Sequence, residues 1–424
     1  MKHDVAIVGG GFAGLSLASI LSKKGYKVVL FERSQTLGGR GSYLEKDGFL
    51  IDYGIHLLRC GARGEAAKVF DEIGRKAEFV KVGKPEIFVD GKFKSFPSGA
   101  MSFLTTGLIP FRAKFSLFKV LVGGLRADLN EFYRTSVEDF LFQKIKKEKR
   151  RREIENVIGT LGGIGIICSD LKEASTGELF GFLKRVSRSK ETVGYVRYGM
   201  KHIIDNLKES VIESGGEIET SAPIKRIIIE EGKAKGLERN STRILAENII
   251  YACPIQKLSE MVPGENAEYI KRISSIRPTR GVGIEMALKE KITDKNGVII
   301  TQEPLTMGCF TSNVTDTVAP DGKQLASFFY PIEDIKKPEE AIGLLKKVIR
   351  SMFPDIRNRI EWELERTFPM VDGAMPTYRQ SYLDRPDFKM PGVENLYLIG
   401  DTTRGTGSGG DIAFSSALKC ADLL

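Results

Sequence analysis

The strongest constraint on the fold lies in the opening segment, residues 4–32. Residues 4–9 (DVAIVG) predict a short buried parallel strand that runs directly into glycines. Residues 13–25 (AGLSLASILSKKG) repeat apolar side chains at helical spacing, and a second apolar strand (YKVVLFE) follows at 26–32. Strand, glycine turn, helix and strand in this order predict a βαβ unit and therefore an α/β fold.

The turn between the first strand and the helix carries Gly9, Gly11 and Gly14 in a G-x-G-x-x-G arrangement, with Phe12 and Ala13 between them. In such a turn the first glycine permits the tight bend, the second lets the backbone approach a pyrophosphate, and the third lets the helix pack close to the strand. The pyrophosphate then lies at the helix N-terminus, where N–H groups and the helix dipole favour negative charge. We therefore expect these five residues to contact a dinucleotide.

An acidic residue ends the second strand. Glu32 lies 18 residues after Gly14 (32 − 14 = 18), close to the spacing of about 20 residues expected for the carboxylate that binds the adenosine ribose hydroxyls. Arg33 follows directly and is expected to contact the cofactor at the same place. Because strand, helix, second strand and acid occur in order, the segment predicts a bound adenine dinucleotide.

Two further motifs follow. Gly38, Gly39 and Arg40 form a second glycine turn, in which an arginine can neutralise phosphate oxygens while the glycines allow close approach of the backbone. The segment GFLIDYGIHLL at 48–58 then contains another apolar strand, with Asp52, Gly54, Ile55 and His56 at its end.

These stretches resemble the amine oxidase and phytoene desaturase superfamily of flavoproteins, whose members carry a dinucleotide fingerprint, a GGR turn and a D-x-G segment in this order. The resemblance implies noncovalently bound FAD in a Rossmann-like domain. It also implies that Arg40 lies along the pyrophosphate and the ribityl chain. Gly54, Ile55 and His56 are then expected near the flavin ring.

The far end of the chain fits the same family. Residues 395–401 (NLYLIGD) predict a buried strand, and a glycine-rich turn and a helix at 411–424 follow it. In the family such a strand brings an acid to the ribityl hydroxyls, and the helix directs its N-terminus, which favours negative charge, at the flavin ring. The resemblance thus implies cofactor contacts by Gly400, Asp401, Gly409, Gly410, Asp411 and Ile412.

The middle of the chain returns to the cofactor domain. Residues 202–214 predict an amphipathic helix, and strands follow, one of them through Ile224, whose backbone the resemblance assigns to the adenine. The FAD-binding domain is therefore expected to be discontinuous and built from residues 1–85, 200–270 and 385–424. An inserted α+β substrate-binding domain is expected from residues 86–199 and 271–384, and its first part contains an apolar helical pattern at 104–125.

Composition limits the partners. The net charge of +9 comes mostly from dispersed lysines, so nucleic-acid binding is not expected. The run KIKKEKRRR at 144–152 is either an exposed helix face or a contact with anionic lipid headgroups. Without a secretion signal or a stretch of about 20 apolar residues, we expect a cytoplasmic protein, at most peripheral to the inner membrane surface. The five cysteines and three histidines show no spacing that indicates a metal site.

The expected reaction is a flavin-dependent oxidation or reduction. His56 is the titratable side chain that the motifs bring closest to the ring, so it is either a proton donor or acceptor or a wall residue. Because no acidic group suited to a cationic amine is evident, we expect a hydrophobic substrate, with desaturation or saturation of a carbon–carbon bond in an isoprenoid. Protoporphyrinogen oxidase-like activity, amine oxidation and a non-catalytic flavin-bound protein remain alternatives. The sequence does not indicate the electron acceptor.

Overall fold

The computed structural model describes residues 2–54, 57–97 and 100–424, and over these residues the chain has a mixed α/β fold with four β-sheets. The strands are β1 (His3–Val8), β2 (Val28–Phe31), β3 (Tyr43–Lys46), β4 (Phe49–Asp52), β5 (Leu58–Arg59), β6 (Phe79–Lys81), β7 (Gly83–Val89), β8 (Lys92–Ser95), β9 (Val193–Val196), β10 (Glu217–Glu219), β11 (Arg226–Glu230), β12 (Lys233–Arg239), β13 (Thr242–Tyr251), β14 (Gly281–Leu288), β15 (Gly297–Gln302), β16 (Leu305–Cys309), β17 (Gln324–Pro331), β18 (Ile360–Phe368) and β19 (Leu396–Leu398). The helices are α1 (Phe12–Lys23), α2 (Glu65–Glu72), α3 (Ala100–Thr105), α4 (Phe111–Arg126), α5 (Val137–Lys144), α6 (Glu148–Ile166), α7 (Thr176–Ser189), α8 (Gly199–Glu213), α9 (Leu258–Met261), α10 (Ala267–Ser274), α11 (Pro338–Met352), α12 (Ile356–Arg359) and α13 (Gly410–Ala421).

The first large sheet is parallel over five strands, in the order β10-β2-β1-β13-β19. At its centre Ile7 lies between Leu30 of β2 and Ile250 of β13. The long strand β13 takes part in both types of pairing. Residues 246–251 pair in parallel with β1, and residues 242–245 pair in antiparallel with β12. β11 extends this antiparallel part.

Both faces of the parallel strands are covered, which explains their continuous apolar sequence. Val5 and Ile7 pack in one core cluster with α1, α8 and α13. Ala6 and Val8 point the other way, into a second cluster with β11, β12, α9 and α10. Helices on one side and a hairpin with short helices on the other therefore enclose the sheet.

The second large sheet has the order β18-β14-β17-β16-β15-β7-β8 and is antiparallel except where β15 meets β7. Along β14, Val282, Ile284 and Met286 pack against α11 in one core cluster. Ala287 belongs instead to the cluster of the first sheet, so the opposite face of β14 is directed at the parallel sheet and its helices. Helices α4, α5, α6 and α7 form a further core with Ile87 and Ile300 of this sheet.

The elements predicted at the two ends of the chain are confirmed. The strand predicted at 4–9 is β1, and the helix that follows it is α1. That helix stops before Gly25, whose φ of +91° lies in the left-handed region that glycine accepts without strain. The strand predicted at 395–401 is the shorter β19, and the helix predicted after it is α13.

Three predictions about the middle of the chain need correction. Ile224 lies outside the strands of the described residues, two positions before β11, because Pro223 provides no N–H for a ladder. The helical pattern at 104–125 is divided, since α3 ends at Thr105 and α4 begins after Pro110. The basic run 144–152 is not one exposed helix face, because it spans the junction of α5 and α6 and Arg151 is buried over the Phe142 ring.

Candidate functional site

Two glycine turns lie against each other at the carboxyl ends of β1 and β2. The first turn leads from β1 into α1, whose first residue follows Gly11. The second turn follows β2, and the Gly38 N–H donates to the Gly10 carbonyl oxygen over 2.8 Å. Gly39 has a φ of +56°, in the left-handed region that glycine accepts, and a Cβ built on it would be in ordinary contact with the Gly11 Cα at 3.4 Å. Motifs that are separate in the sequence therefore form one backbone surface.

The glycines of the first turn differ in their surroundings. Gly9 has a φ of +112°, in the left-handed region. A Cβ on Gly14 would lie 1.9 Å from the Gly9 carbonyl oxygen, so glycine there permits close packing of helix and strand. A Cβ on Gly11 would meet no described atom nearer than 4.0 Å. Phe12 and Ala13 open α1, whose first turn has neither an acidic residue nor a capping side chain among the described residues, so its N–H groups suit an anion.

Glu32 is buried beside the first turn. Its Oε2 accepts a hydrogen bond from the Gly10 N–H at 2.7 Å and its Oε1 accepts one from the Ser34 N–H at 2.9 Å. Each carboxylate oxygen has a second lone pair, so the group is oriented by the backbone and can still accept hydrogen bonds from a ligand. Ile224 lies next to this segment, since the N–H of nearby Ala222 donates to the Glu32 carbonyl oxygen at 2.8 Å.

Arg40 and Asp401 form a two-pronged ion pair. Nη1 and Nη2 of Arg40 donate to the two Asp401 oxygens at 2.7 and 2.8 Å, and the Gly373 N–H donates to Oδ2 at 2.6 Å. Burial acts to raise the pKa of Asp401, but Arg40 and these hydrogen bonds hold it below its usual value. Asp401 therefore remains ionised, and the pair joins the second glycine turn to the segment after β19.

The N-terminus of α13 lies beside the N-terminus of α1. Phe12, the first residue of α1, stacks on Phe414 of α13 with ring centroids 5.0 Å apart. Gly409 precedes α13 with a φ of +61°, and its carbonyl oxygen accepts a hydrogen bond from the Ile412 N–H. A Cβ on Gly410 would meet no described atom within 4 Å, so the backbone can be approached there. The N-termini of α1 and α13 are therefore neighbours in the structure.

Charged side chains from distant parts of the chain surround Asp411 in the first turn of α13. Burial raises the pKa of Asp411 to about 7, although the cations Arg185 and Arg59 oppose the shift. Nη1 of Arg185 lies 3.3 Å from the Asp411 carboxylate. Burial, and next the charge of Asp401, raise the pKa of Asp372 to about 6. Sequence reasoning missed Arg59, Arg185 and Asp372, because no local motif marks them.

A further buried carboxylate, that of Glu285, lies beside Gly54. Gly54 approaches Phe368, whose ring meets that of Tyr53 edge to face with centroids 5.5 Å apart. Arg366 lies over the Tyr53 ring and donates through Nε to Glu285 at 3.1 Å. Burial raises the pKa of Glu285 to about 7, against the effect of Arg366. The sequence did carry a signal for this pair, since Glu285 stands alone in the apolar strand GVGIEMALK.

The structure brings most of the predicted cofactor residues together. The residues that border the two turns and the start of α13 are Gly9, Gly11, Phe12, Ala13, Gly14, Glu32, Gly38, Gly39, Arg40, Gly400, Asp401, Gly409, Gly410, Asp411 and Ile412. Arg33 is exposed next to Glu32. Gly54 lies on the side of β14 and β18, and Ile55 and His56 lie outside the described residues.

The sequence matches the family of flavin containing amine oxidoreductases over residues 12–424. It is 22% identical to 4,4'-diapolycopen-4-al dehydrogenase of Metabacillus indicus, with 93% of this chain and 92% of that protein covered. It is 21% identical to 15-cis-phytoene desaturase of Synechococcus elongatus, with 94% and 90% covered. Among solved structures, an oxidoreductase from Methanosarcina mazei matches with a TM-score of 0.84 and 21% identity, and both chains are covered completely.

The family match covers nearly the whole chain, including both the helix after the first glycine turn and the C-terminal helix beside it. The solved structure shares the fold over the full length of the chain. The chain therefore belongs to the flavin containing amine oxidoreductase family and is an FAD-dependent oxidoreductase.

Proposed function

We propose that FAD lies across the two glycine turns, with its pyrophosphate at Gly11 and its adenosine ribose at Glu32. The accessible backbone at Gly11 and the uncapped first turn of α1 support this arrangement. The strand order β10-β2-β1-β13-β19 supports it too, because such an order is typical of Rossmann-like domains, whose ligands lie beyond the carboxyl ends of the strands. Arg33 and the backbone of Ile224 then border the adenosine end.

The other half of FAD is proposed to extend past Arg40 and Asp401 toward the start of α13. The ionised Asp401 can accept hydrogen bonds from ribityl hydroxyls. Residues 409–412 supply backbone N–H groups at a helix N-terminus, where a partial positive charge favours electron-rich ring atoms. Gly54, Ile55 and His56 would border the ring from the side of the second sheet. The convergence of both chain ends on one backbone surface is the observation that carries this proposal.

The proposed FAD-binding domain comprises residues 1–85, 200–270 and 385–424, and the proposed substrate domain comprises residues 86–199 and 271–384. The strands of the parallel sheet all fall in the first set, and all strands of the second large sheet except the first residues of β7 fall in the second set. One small sheet crosses the division, since β9 pairs with β5 and β6. The two parts are thus expected to move little against each other near β9.

We propose that the enzyme desaturates or saturates a carbon–carbon bond in a hydrophobic isoprenoid. FAD, when bound, supplies hydride acceptance or donation at its ring. Tyr53, Phe329 and Phe368 form an aromatic wall beside Gly54 that would exclude water and hold an apolar chain. His56, which follows Tyr53 of this wall by three residues, is proposed to donate or accept a proton. The names of the carotenoid-converting relatives support this class of substrate.

Anaerobic titration of the purified holoenzyme tests the substrate class. Isoprenoids, porphyrinogens and amines would be added in turn while the oxidised-flavin absorbance is followed. Bleaching by isoprenoid polyenes alone is expected if the enzyme desaturates them. Bleaching by amines or by porphyrinogens alone would overturn the proposal and identify the corresponding oxidase. Reoxidation of chemically reduced flavin by an isoprenoid would indicate saturation, and a flavin that no compound bleaches or reoxidises would favour a flavin-bound binding protein. A Phe368→Ser variant, with the likewise buried Phe140→Ser in the core of α4, α5, α6 and α7 as its control, separates the aromatic wall from general effects of losing a buried apolar side chain.

We further propose peripheral contact between the protein and an anionic membrane. Lys146, Lys147 and Lys149 of the basic run are exposed, which supports attraction to anionic headgroups. A lipid substrate would be reached from such a surface.

A further inference from the structure

Helix α4 exposes a row of large aromatic side chains. Phe111, Phe115 and Phe118 are 85%, 62% and 44% exposed. Because they are spaced by four and three residues, they lie along one stripe of the helix. Single exposed apolar residues are ordinary on protein surfaces, whereas three neighbouring phenylalanines form a patch that indicates an interaction site.

The opposite stripe of α4 is fixed in the protein core. Ala113, Leu117 and Val120 are almost completely buried among α5, α6 and α7. A Cβ on Gly124 would lie 2.1 Å from the Phe180 ring of α7, so the helices are in close contact there. This packing determines the rotation of α4 about its axis and keeps the phenylalanine stripe directed outward.

Cations border the phenylalanine stripe on both sides. At 3.6 residues per turn, Arg112 and Lys119 lie on one side of the stripe and Lys114 lies on the other. Nζ of Lys119 lies 4.6 Å from the centroid of the Phe115 ring. The sequence of α4, FRAKFSLFKVLVGGLR, contains no acidic residue. An apolar stripe with positive charge on both sides complements a lipid bilayer, whose interior is apolar and whose headgroup surface is anionic.

We propose that α4 lies in the interface of an anionic lipid bilayer, with Phe111, Phe115 and Phe118 among the acyl chains and Arg112, Lys114 and Lys119 at the lipid phosphates. Amphipathic helices with aromatic residues between basic ones bind membranes in this orientation. Over the described residues, no helix has both the length and the apolar character needed to cross a bilayer, so α4 would lie flat. The inference deepens the membrane contact proposed above by assigning it to α4, and it does not depend on the identity of the substrate.

The proposed membrane face is close in the structure to the proposed cofactor site. α4 packs on α7, and Arg185 of α7 contacts Asp411 in the first turn of α13. Helix α7 therefore lies between α4 and the first turn of α13.

Vesicle sedimentation of the holoenzyme tests the inference. Binding is measured to vesicles of phosphatidylcholine alone and of phosphatidylcholine with phosphatidylglycerol. Wild-type protein should bind the anionic vesicles. The triple variant Phe111→Ser, Phe115→Ser, Phe118→Ser should bind them more weakly by a factor of roughly ten or more. The control Ile212→Ser, Leu245→Ser removes apolar side chains that are 52% and 45% exposed elsewhere and should bind as wild type.

A second set of variants tests the charges. Arg112→Glu with Lys119→Glu should weaken binding by at least fivefold per residue, on a contribution of about 1 kcal/mol per cation near an anionic surface. Lys208→Glu with Lys271→Glu makes the same change of net charge on exposed lysines of α8 and α10 and should have a smaller effect. Lys146→Glu with Lys147→Glu measures the separate contribution of the basic run.

The flavin content and the melting temperature of each variant show whether weaker vesicle binding is caused by loss of FAD or by unfolding. All of these variants should retain FAD, because none of the changed residues borders the cofactor site. Unchanged binding of the triple phenylalanine variant, or equal binding of wild type to neutral and anionic vesicles, would overturn the assignment to α4. Loss of a wild-type dimer in the triple variant without any vesicle binding would overturn it in favour of a second copy of the chain. Protein that purifies without flavin would instead contradict the proposed function.

Discussion

The replacement Gly11→Asn separates cofactor binding from folding. Gly11 has the extended backbone of an N-cap, with φ −76° and ψ −176°, and a Cβ there meets no described atom nearer than 4.0 Å. Asparagine is as favourable as glycine at such a position to within roughly a few tenths of a kcal/mol, so the apoprotein should keep its stability. The side chain would, however, project where the pyrophosphate is proposed to approach. Loss of one charge-assisted hydrogen bond costs about 1.5–3 kcal/mol, or roughly tenfold to a hundredfold in the Kd for FAD.

The assay is FAD content after native purification, together with urea denaturation of the apoprotein. The matched control is Gly14→Ala, whose Cβ would lie 1.9 Å from the Gly9 carbonyl oxygen. This overpacking should destabilise the apoprotein by about 1–3 kcal/mol as well as weakening FAD binding. Normal flavin content in Gly11→Asn would refute the proposed pyrophosphate position. A loss of apoprotein stability as large as in Gly14→Ala would refute the claim that position 11 is free of packing constraints.

The buried carboxylates give three further predictions. Burial raises the pKa of Glu285 from its ordinary 4.5 to about 7, so the folded state binds a proton more tightly than the unfolded state. The stability contributed by this group is therefore lost as the pH rises from 4.5 to about 7. The free energy of unfolding of wild type, measured in urea, should fall over this range relative to that of Glu285→Gln, and a constant difference would contradict the shift. Arg40→Ala should lower the free energy of unfolding by about 1–2 kcal/mol, because partial exposure of the guanidinium weakens the ion pair. The loss should be smaller in an Asp401→Asn background, and equal losses in both backgrounds would show that the pair is not coupled. Because burial raises the pKa of Asp411 to about 7, the spectrum of bound flavin should change with a midpoint near that pH in wild type and not in Asp411→Asn, and a pH-independent wild-type spectrum would count against placing Asp411 beside the ring.

The sequence predicted the elements whose signals are local. The opening βαβ unit follows from glycines and apolar spacing within about thirty residues, and packing elsewhere in the fold does not override them. Ile224 shows where local reasoning stops, because the alternating pattern continues through it while Pro223 removes the N–H that a strand would need. The division of the 104–125 pattern at Pro110 has the same origin.

The residues proposed for the cofactor site could be named individually from the sequence, but the contacts between them could not. Arg40 and Asp401 could each be assigned through a motif, yet the hydrogen bonds between them join positions 361 residues apart. The cations around Asp411 come from β5 and α7, and nothing in their local sequence distinguishes them from surface arginines. Glu285 is the instructive exception, since a single acid in an apolar strand requires a partner once the strand is buried.

The positions of β13, beside the central strand β1, and of β19, at the edge of the parallel sheet, have a consequence for protein synthesis. β1 and β2 leave the ribosome before β13, but β1 obtains its second neighbour only with β13, and β13 obtains the neighbour β19 only when residues 396–398 have been made. The last helix then packs on α1, and the Tyr26 hydroxyl donates to the Leu424 carbonyl oxygen at 2.8 Å. A nascent chain that still lacks α13 therefore cannot assemble the proposed FAD site, so flavin loading is expected to follow the release of α13 from the ribosomal tunnel.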